Sequence, residues 1–316
     1  MNLFQSPEWE QLKLQTGYAK SYRLDDVLIL QKKLPLGFSM LYSPMIDQVQ
    51  SSKFQVQGFN EQIKKIVRGC NAIFYRAEID IPVIPNTKYD IPAFGFTKSF
   101  EEMQPEHTLI LDLSKREEEI LAQMKQKGRY NIKIANKSNL VIKKTTTPDD
   151  SLDDFYRLYS ATGKRHGITF RSKKYFESLL DILGRKGYAE LETIYLVQGI
   201  DNDEKIEKIA LASAIIVYSG KKAIYLYGAS SDEHKNLMAP YKLHFNIIKD
   251  AKARGCTEYD FFGIAPDDSS SHPWAGVTRF KKQFGGTEQQ IAGSYDLVFK
   301  PFMYKLFKIA EKIRRK

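Results

Sequence analysis

One pattern occurs twice in this chain with matching punctuation, and it constrains the fold more than any other feature. Met40-Leu41-Tyr42-Ser43 closes an apolar run, a loop and an amphipathic stretch follow, and Arg68-Gly69-Cys70 leads into a second apolar run at 72–76. Tyr225-Leu226-Tyr227-Gly228 closes another run, again followed by loop and helix, then Arg254-Gly255-Cys256 and a run at 258–262. Tyr42 and Gly69 lie 27 residues apart, Tyr227 and Gly255 28. Each copy reads strand, helix, strand, with glycine ending the helix. Matched order and spacing predict two related α+β domains. Glu78 and Asp260 fall at equivalent places in the two copies, at or after the second strand.

Size and composition agree. The chain has 316 residues, 42% hydrophobic and 27% charged, enough to bury the cores of two domains. No stretch approaches the roughly 18 uncharged apolar residues of a membrane span. The opening MNLFQSPEWEQLK has no basic segment followed by an apolar run, so a cytoplasmic protein is expected. Cys70 and Cys256 alone make neither a disulfide framework nor a zinc site. The five histidines lack HxxxH or HExxH spacing, and neither a phosphate-binding Walker loop nor a dinucleotide fingerprint is present. Ser271 and His272 beside Asp267 and Asp268 read as loop composition, since a catalytic triad converges in space rather than in sequence. Neither a metal nor another cofactor is expected.

Local signals place most elements. Ser6 and Pro7 read as N-cap and first residue of a helix. Strands are predicted at 26–32, 38–43, 72–76 and 108–113, with a helix over 59–68 broken by Gly69. Pro82, Pro85, Pro92 and Pro105 predict irregular chain over 80–105. Ser114-x-x-Glu117 reads as a capping box opening a helix, which Gly128 bends or interrupts. Helices are expected from Pro148-Asp149-Asp150 onward, over 172–183 and over 239–254. Antiparallel strands are expected at 194–198, 209–218 and 223–229, turning at Asp201-Asn202-Asp203 and Ser219-Gly220, with a further strand at 258–262. Residues 302–316 form a basic amphipathic helix with Met303, Leu306, Phe307, Ala310 and Ile313 on one face.

Charge is concentrated. Of the net +10, segment 115–144 carries +6 and segment 279–316 carries +7, which leaves the rest at −3. No acidic residue occurs from Ile120 to Pro148. Two such patches suit polyanionic partners, although solvated helix faces would look the same in sequence.

A set of motifs resembles the FemABX peptidyltransferases across nearly the whole chain. These motifs are Gln5-Ser6-Pro7-x-Trp9-x-x-x-Lys13; Leu111-Asp112-Leu113-Ser114 leading into Met124-Lys125-x-Lys127-x-Arg129-Tyr130-Asn131-Ile132-Lys133-x-Ala135; Arg165-His166-Gly167-Ile168 with Arg171; Ala239-Pro240-Tyr241; Tyr259-Asp260-Phe261-x-Gly263-Ile264; and Phe280-Lys281-x-x-Phe284-Gly285-Gly286. The resemblance implies two domains similar to acetyltransferases of the GNAT fold, in mixed sheets flanked by helices. Domain 1 would comprise 1–107 and 292–316, and domain 2 would be inserted as 108–291. No long heptad run is present, so the chain resembles the shorter members without a helical arm, which use a soluble UDP-linked precursor. The stretches Pro44–Phe59 and Ser230–Pro240 lack the glycine-rich turn with which acetyltransferases cradle the pyrophosphate of coenzyme A, so another donor is expected.

The resemblance implies transfer of an amino acid from aminoacyl-tRNA to an amine of a peptidoglycan precursor, either soluble UDP-MurNAc-pentapeptide or lipid II. A lysine amine has a pKa near 10.4, so neutralising it at pH 7 costs about 4.6 kcal/mol, and the site must also hold an oxyanion. By resemblance, Lys281 with Phe280 faces the acceptor, and Lys13 and Arg171 bind its diphosphate and sugar. Tyr225 and Tyr227 alternate on one strand, share a face and would line the acceptor cleft. Lys125, Lys127, Arg129 and Lys133 are candidates for tRNA phosphates, and Asp260 and Glu78 for a general base. A monomer is expected, with the apolar face of the last basic helix packed inward on domain 1; peripheral contact of that helix with an anionic membrane is the alternative. A CoA-dependent N-acyltransferase and a non-catalytic RNA-binding module are the competing classes.

Overall fold

The structure is a computed structural model that describes residues 1–47, 51, 58–84, 95–166, 171–199 and 207–314. The turn expected at Asp201-Asn202-Asp203, the prolines Pro85 and Pro92, and Gly167 and Ile168 lie outside the described residues, as do 48–50 and 52–57 of the first loop. The chain divides into two compact units, Met1–Glu106 with Gln289–Lys316, and His107–Glu288.

The first unit opens with α1 (Pro7–Gln15), whose cap is as expected: the Ser6 hydroxyl accepts from the Trp9 N–H at 3.1 Å. Next come β1 (Lys20–Leu24), β2 (Val27–Lys33) and β3 (Ser39–Ile46), antiparallel neighbours in sequence order. Helix α2 (Phe59–Cys70) then crosses over to β4 (Ala72–Pro82), which pairs parallel with β3. A parallel pair needs such a crossover, because a hairpin can only return the chain antiparallel. Gly69 does not end α2. It lies inside the helix, and Asn71, at φ 54°, takes the left-handed position beyond it, a place usually held by glycine and sometimes by asparagine. Phe59, Ile63 and Val67 pack from α2 onto Leu41, Tyr75 and Ile79 of the strands. β5 is the short Thr97–Lys98.

The second unit runs β6 (His107–Asp112), α3 (Glu117–Gln123), α4 (Gln126–Ala135), β7 (Leu140–Thr145), α5 (Asp150–His166) and α6 (Lys173–Leu179), then β8 (Ala189–Gln198), β9 (Glu207–Ser219), β10 (Lys222–Ser230), α7 (Ala239–Ala253), β11 (Glu258–Gly263) and α8 (Ala275–Lys281). Its strand order is β6-β11-β10-β9-β8-β7. β10 and β11 pair parallel across α7, whereas the other described pairs of this unit are antiparallel. Each unit therefore holds one copy of the repeated strand-helix-strand.

Two local expectations change. Ser114 is not the cap of α3: its hydroxyl and N–H both turn back to Asp112, and the helix starts two residues later, where Glu119 accepts from the Arg116 N–H at 2.9 Å. Gly128 does not break a helix. It sits inside α4, where a Cβ would lie 2.5 Å from the Gln283 carbonyl oxygen, so its missing side chain lets α4 press against the segment after α8.

The chain then returns to the first unit through β12 (Thr287–Val298), antiparallel to β4 and β5, and ends in α9 (Pro301–Arg314). Residue alternation alone does not reveal β12, whose polar first residues are largely exposed. Its Asp296 takes a bidentate pair from Arg76, with both contacts at 2.7 Å, and Glu101 accepts from the same guanidinium. The Tyr304 hydroxyl of α9 donates to Asp296 at 2.5 Å. That bond fixes the rotation of α9, so Tyr304 and Phe307 cover Phe74, and Leu306, Ala310 and Ile313 of the expected inward face point outward.

Arg76 is wholly buried. Arg76→Met would leave two carboxylates uncompensated and is expected to cost about 3–5 kcal/mol of unfolding free energy, measured by urea titration.

Candidate active site

β10 and β11 pair only over Lys222–Ile224 and Glu258–Asp260, although both strands continue beyond. Each then carries an irregularity. On β9, the neighbours Ile216 and Ile215 face Tyr225 and Tyr227, so Leu226 is one residue too many. On β11 the register against β6 slips between Asp260 and Gly263, with Phe262 at φ 58°.

The first bulge overturns the expectation for the two tyrosines. An inserted residue moves the next side chain to the other face. Tyr225 meets the His244 ring of α7 at 4.5 Å, whereas Tyr227 joins Tyr159, Tyr175 and Phe176 from α5 and α6. Tyr225 lies along its own strand over Gly228, where a Cβ would fall 1.6 Å from the phenol oxygen. Tyr227 donates to the Tyr175 hydroxyl at 3.1 Å, and the exposed Arg171 guanidinium stands 5.2 Å over the Tyr175 ring. Arg171 and Tyr227 thus share one cluster, and Tyr225 belongs to another.

That second cluster centres on Lys281. Its side chain is 6% exposed, and its Nζ donates to the Gly263 carbonyl at 2.7 Å, lies 3.5 Å from the Phe262 carbonyl and stands 5.5 Å over the Tyr225 ring. The Asp260 carboxylate accepts from the Phe262 N–H at 2.7 Å and from the Thr108 hydroxyl. Asp260 therefore holds the left-handed turn whose carbonyls hold Lys281. Burial lowers the Lys281 pKa to about 7, with the Asp260 charge opposing. Burial raises that of Asp260. Phe280 packs on Tyr241, His244 and Phe284 at 5.1–5.4 Å.

His244 and Thr108, which lie outside the motifs, complete the cluster together with Tyr259. The His244 ring shares a 3.0 Å hydrogen bond with the Tyr259 hydroxyl. Burial first, and the charge of Lys281 second, lower its pKa to about 3, so it stays neutral. A histidine in step with Ile248 and Ala251 on the apolar side of α7 was the available signal.

The basic residues of α4 separate into two kinds. Lys125 and Lys127 border a cavity of about 620 Å³ with Tyr241, Arg279, Phe280 and Lys282. Lys282 is neutralised by Asp268 and Glu288, each at 2.7 Å. Lys127 and Lys133 also flank a hollow of about 520 Å³ beside the exposed Tyr130. Arg129 differs: its Nη1 donates to the carbonyls of Ala122 and Met124. It fastens the end of α3 through that one nitrogen, while its side chain also lines the hollow beside Tyr130.

Two candidates lie in the first unit. Lys13 is nearly buried, with its Nζ 4.5 Å over the Trp9 ring, not an exposed cation. Glu78 has no exposure, accepts from the Tyr42 hydroxyl and from the Gln104 N–H at 2.7 Å, and is pushed up to about 7 by burial. Both of its oxygens are engaged within the first unit, the arrangement of a structural carboxylate.

Because Lys281 binds a proton near pH 10.5 when unfolded and near 7 when folded, the unfolded state holds more protons between those values and wild-type stability rises with pH there. Lys281→Met is therefore expected to be the more stable protein at neutral pH, with the gap in melting temperature narrowing from pH 7 toward 10.

Comparison with known proteins agrees with this architecture. A family model described as "FemAB family" matches residues 93–201 and 188–312. A lipid II:glycine glycyltransferase of Staphylococcus aureus is 25% identical over 404 aligned positions that cover 100% of this chain and 95% of the relative. The crystal structure of FemX superposes with a TM-score of 0.79 at 24% identity, covering 96% of this chain and 94% of that one. A tandem GNAT protein from the clavulanic acid biosynthesis pathway superposes at 0.50 with 10% identity, covering 92% and 86%, which places the two-unit α+β fold among GNAT-like architectures. The family match spans well over half of the chain, its sequence motifs lie where β11 and α8 build the Lys281 cluster, and the chain belongs to the FemAB family.

Proposed function

We propose that this protein transfers an amino acid from aminoacyl-tRNA to an amine on the stem peptide of a lipid-linked peptidoglycan precursor, building an interpeptide bridge. The acceptor class rests on the relative named for lipid II and glycine. The observation that carries the chemistry is the buried ammonium of Lys281, cradled by two carbonyls where β10 and β11 part.

The reaction needs little bond activation, because the donor is already an ester. The neutral acceptor amine attacks the ester carbonyl. A C–N bond forms, the carbonyl electron pair moves onto oxygen, and the intermediate then expels the ribose oxygen, which leaves with the amine's proton. The difficult charge is the oxyanion. Two Lys281 donors are directed at Gly263 and Phe262, and the third is available to that oxygen. In so dry a place the charge acts across little screening. Phe280 and Tyr225 wall the same space, and Asp260 works through the Phe262 turn as a positioning residue. Arg171, exposed and stacked on Tyr175, suits a precursor phosphate. Lys13 is assigned to the precursor only through the motif it shares with the family.

Lys281→Met is expected to lower turnover by about 10²–10³-fold, the loss typical of one oxyanion donor, while the protein stays folded. Because the reacting pair is charged Lys281 and a neutral amine, wild-type kcat/KM should rise with pH below about 7, as the amine loses its proton, and level off above it, as Lys281 loses its own. Wild-type turnover by the variant, followed by mass spectrometry of the precursor with charged tRNA, overturns the assignment.

Lys125, Lys127 and Lys133 are the phosphate contacts for the tRNA in this reading. Replacing all three by glutamine should flatten the dependence of log Kd for tRNA on log salt by about 2–3 units of slope. An Arg129→Gln variant should instead lose stability, read by thermal melting.

A further inference from the structure

Helix α9 has two apolar sides, and the first unit uses one. Tyr304 and Phe307 lie against Phe74 and Phe100 at 5.1–6.1 Å, with Met303 and Glu311 half-buried on the same side. Away from that contact, Phe302, Leu306, Ile309 and Ile313 are 72%, 44%, 57% and 69% exposed. Spacings of four, three and four place them in one stripe along the helix. Single exposed apolar residues are ordinary, but these four account for nearly a third of the thirteen large ones among the described residues, so they form a concentrated surface.

The charge beside the stripe has one sign. Lys305 and Lys312 run along one edge, with Lys308 one step further round, over Phe100 and Tyr304. The helix's one acid, Glu311, lies on the packed side and pairs with Arg314 at 2.5 Å. No described helix is long and apolar enough to cross a membrane. An apolar stripe bordered by lysines is the surface chemistry of a helix that lies in the plane of a bilayer, with side chains among the acyl chains and ammonium groups among anionic headgroups.

We propose that α9 docks the protein on an anionic membrane surface, seating Phe302, Leu306, Ile309 and Ile313 below the headgroups and Lys305, Lys308 and Lys312 among them. The inference deepens the proposed function and takes its purpose from it, since a lipid-linked acceptor lies at that surface. The chemistry of the occupant follows from the stripe and its border: a neutral protein face would leave the lysines without partners, and a second copy would bring lysines against lysines.

The test uses the full chain with phosphatidylcholine vesicles, with or without phosphatidylglycerol, and free of any precursor. Wild type should sediment with the anionic vesicles and much less with the neutral ones. The double variant Leu306→Ser with Ile309→Ser should bind the anionic vesicles at least about tenfold more weakly, since two exposed aliphatic groups are removed from the contact. Its circular dichroism, melting temperature and turnover on a water-soluble acceptor should match wild type. Equal vesicle binding by both proteins, or no binding by wild type, overturns the proposal. So does a wild-type dimer in sedimentation velocity that the double variant dissolves, because the stripe then belongs to a second copy. If wild type binds vesicles but fails to modify any acceptor, the proposed function falls and the docking surface stands.

Discussion

Lys281 keeps an ammonium group where water scarcely reaches, and the second unit is organised around tolerating it. A buried charge is stable only when its donors find acceptors. Here the acceptors are backbone carbonyls of Phe262 and Gly263, and they face the lysine because Phe262 adopts a left-handed conformation that ordinary side chains avoid. Asp260 stabilises that turn through the Phe262 N–H, and Thr108 on the neighbouring β6 anchors Asp260. The chain from Thr108 to Lys281 thus joins two strands and a helix through polar contacts inside an aromatic packing of Tyr225, His244, Phe261, Phe280 and Phe284.

The parallel pairing of β10 and β11 stops at Ile224 and Asp260, where a regular pair would continue its ladder. Bulges on both strands end the ladder and redirect side chains. The extra residue at Leu226 sends Tyr225 toward Lys281 and Tyr227 toward Tyr175, so one strand serves two surfaces. His244 contributes as a neutral polar ring. In a space already holding one ammonium, a second cation would be costly, and burial keeps the imidazole uncharged.

The first unit shows a different use of buried charge. Arg76, Asp296 and Glu101 form a closed pairing, and Tyr304 adds the last helix to it. Glu78 is equally dry but is satisfied by a hydroxyl and an amide. Glu78 stands at the position that the repeat makes equivalent to Asp260, yet its partners differ: Tyr42 and Gln104 for one, Thr108 and the Phe262 turn for the other. The same Tyr304 bond decides which side of α9 meets water.

Much of this architecture was legible from residues alone. Ser6 and Pro7 announce a helix because one caps and the other pre-sets its first turn, and the spacing from Tyr42 to Gly69 and from Tyr227 to Gly255 discloses two strand-helix-strand units. The motif around Lys281 singled out the residue that the fold buries. What sequence could not fix were events that depend on contacts distant along the chain. Alternation implied one face for Tyr225 and Tyr227, and a single bulged residue reversed that. Nothing in the sequence announces that Arg129 reaches the last carbonyls of α3, or that Tyr42 and Gln104 hold the oxygens of Glu78. The apolar pattern of α9 was visible, but its rotation was set by a hydroxyl reaching Asp296, and a helix with two apolar sides can choose between them only when something outside it binds one. Periodicity and capping are local properties written in neighbouring residues, whereas burial, pKa and the direction of a side chain belong to the whole packed unit.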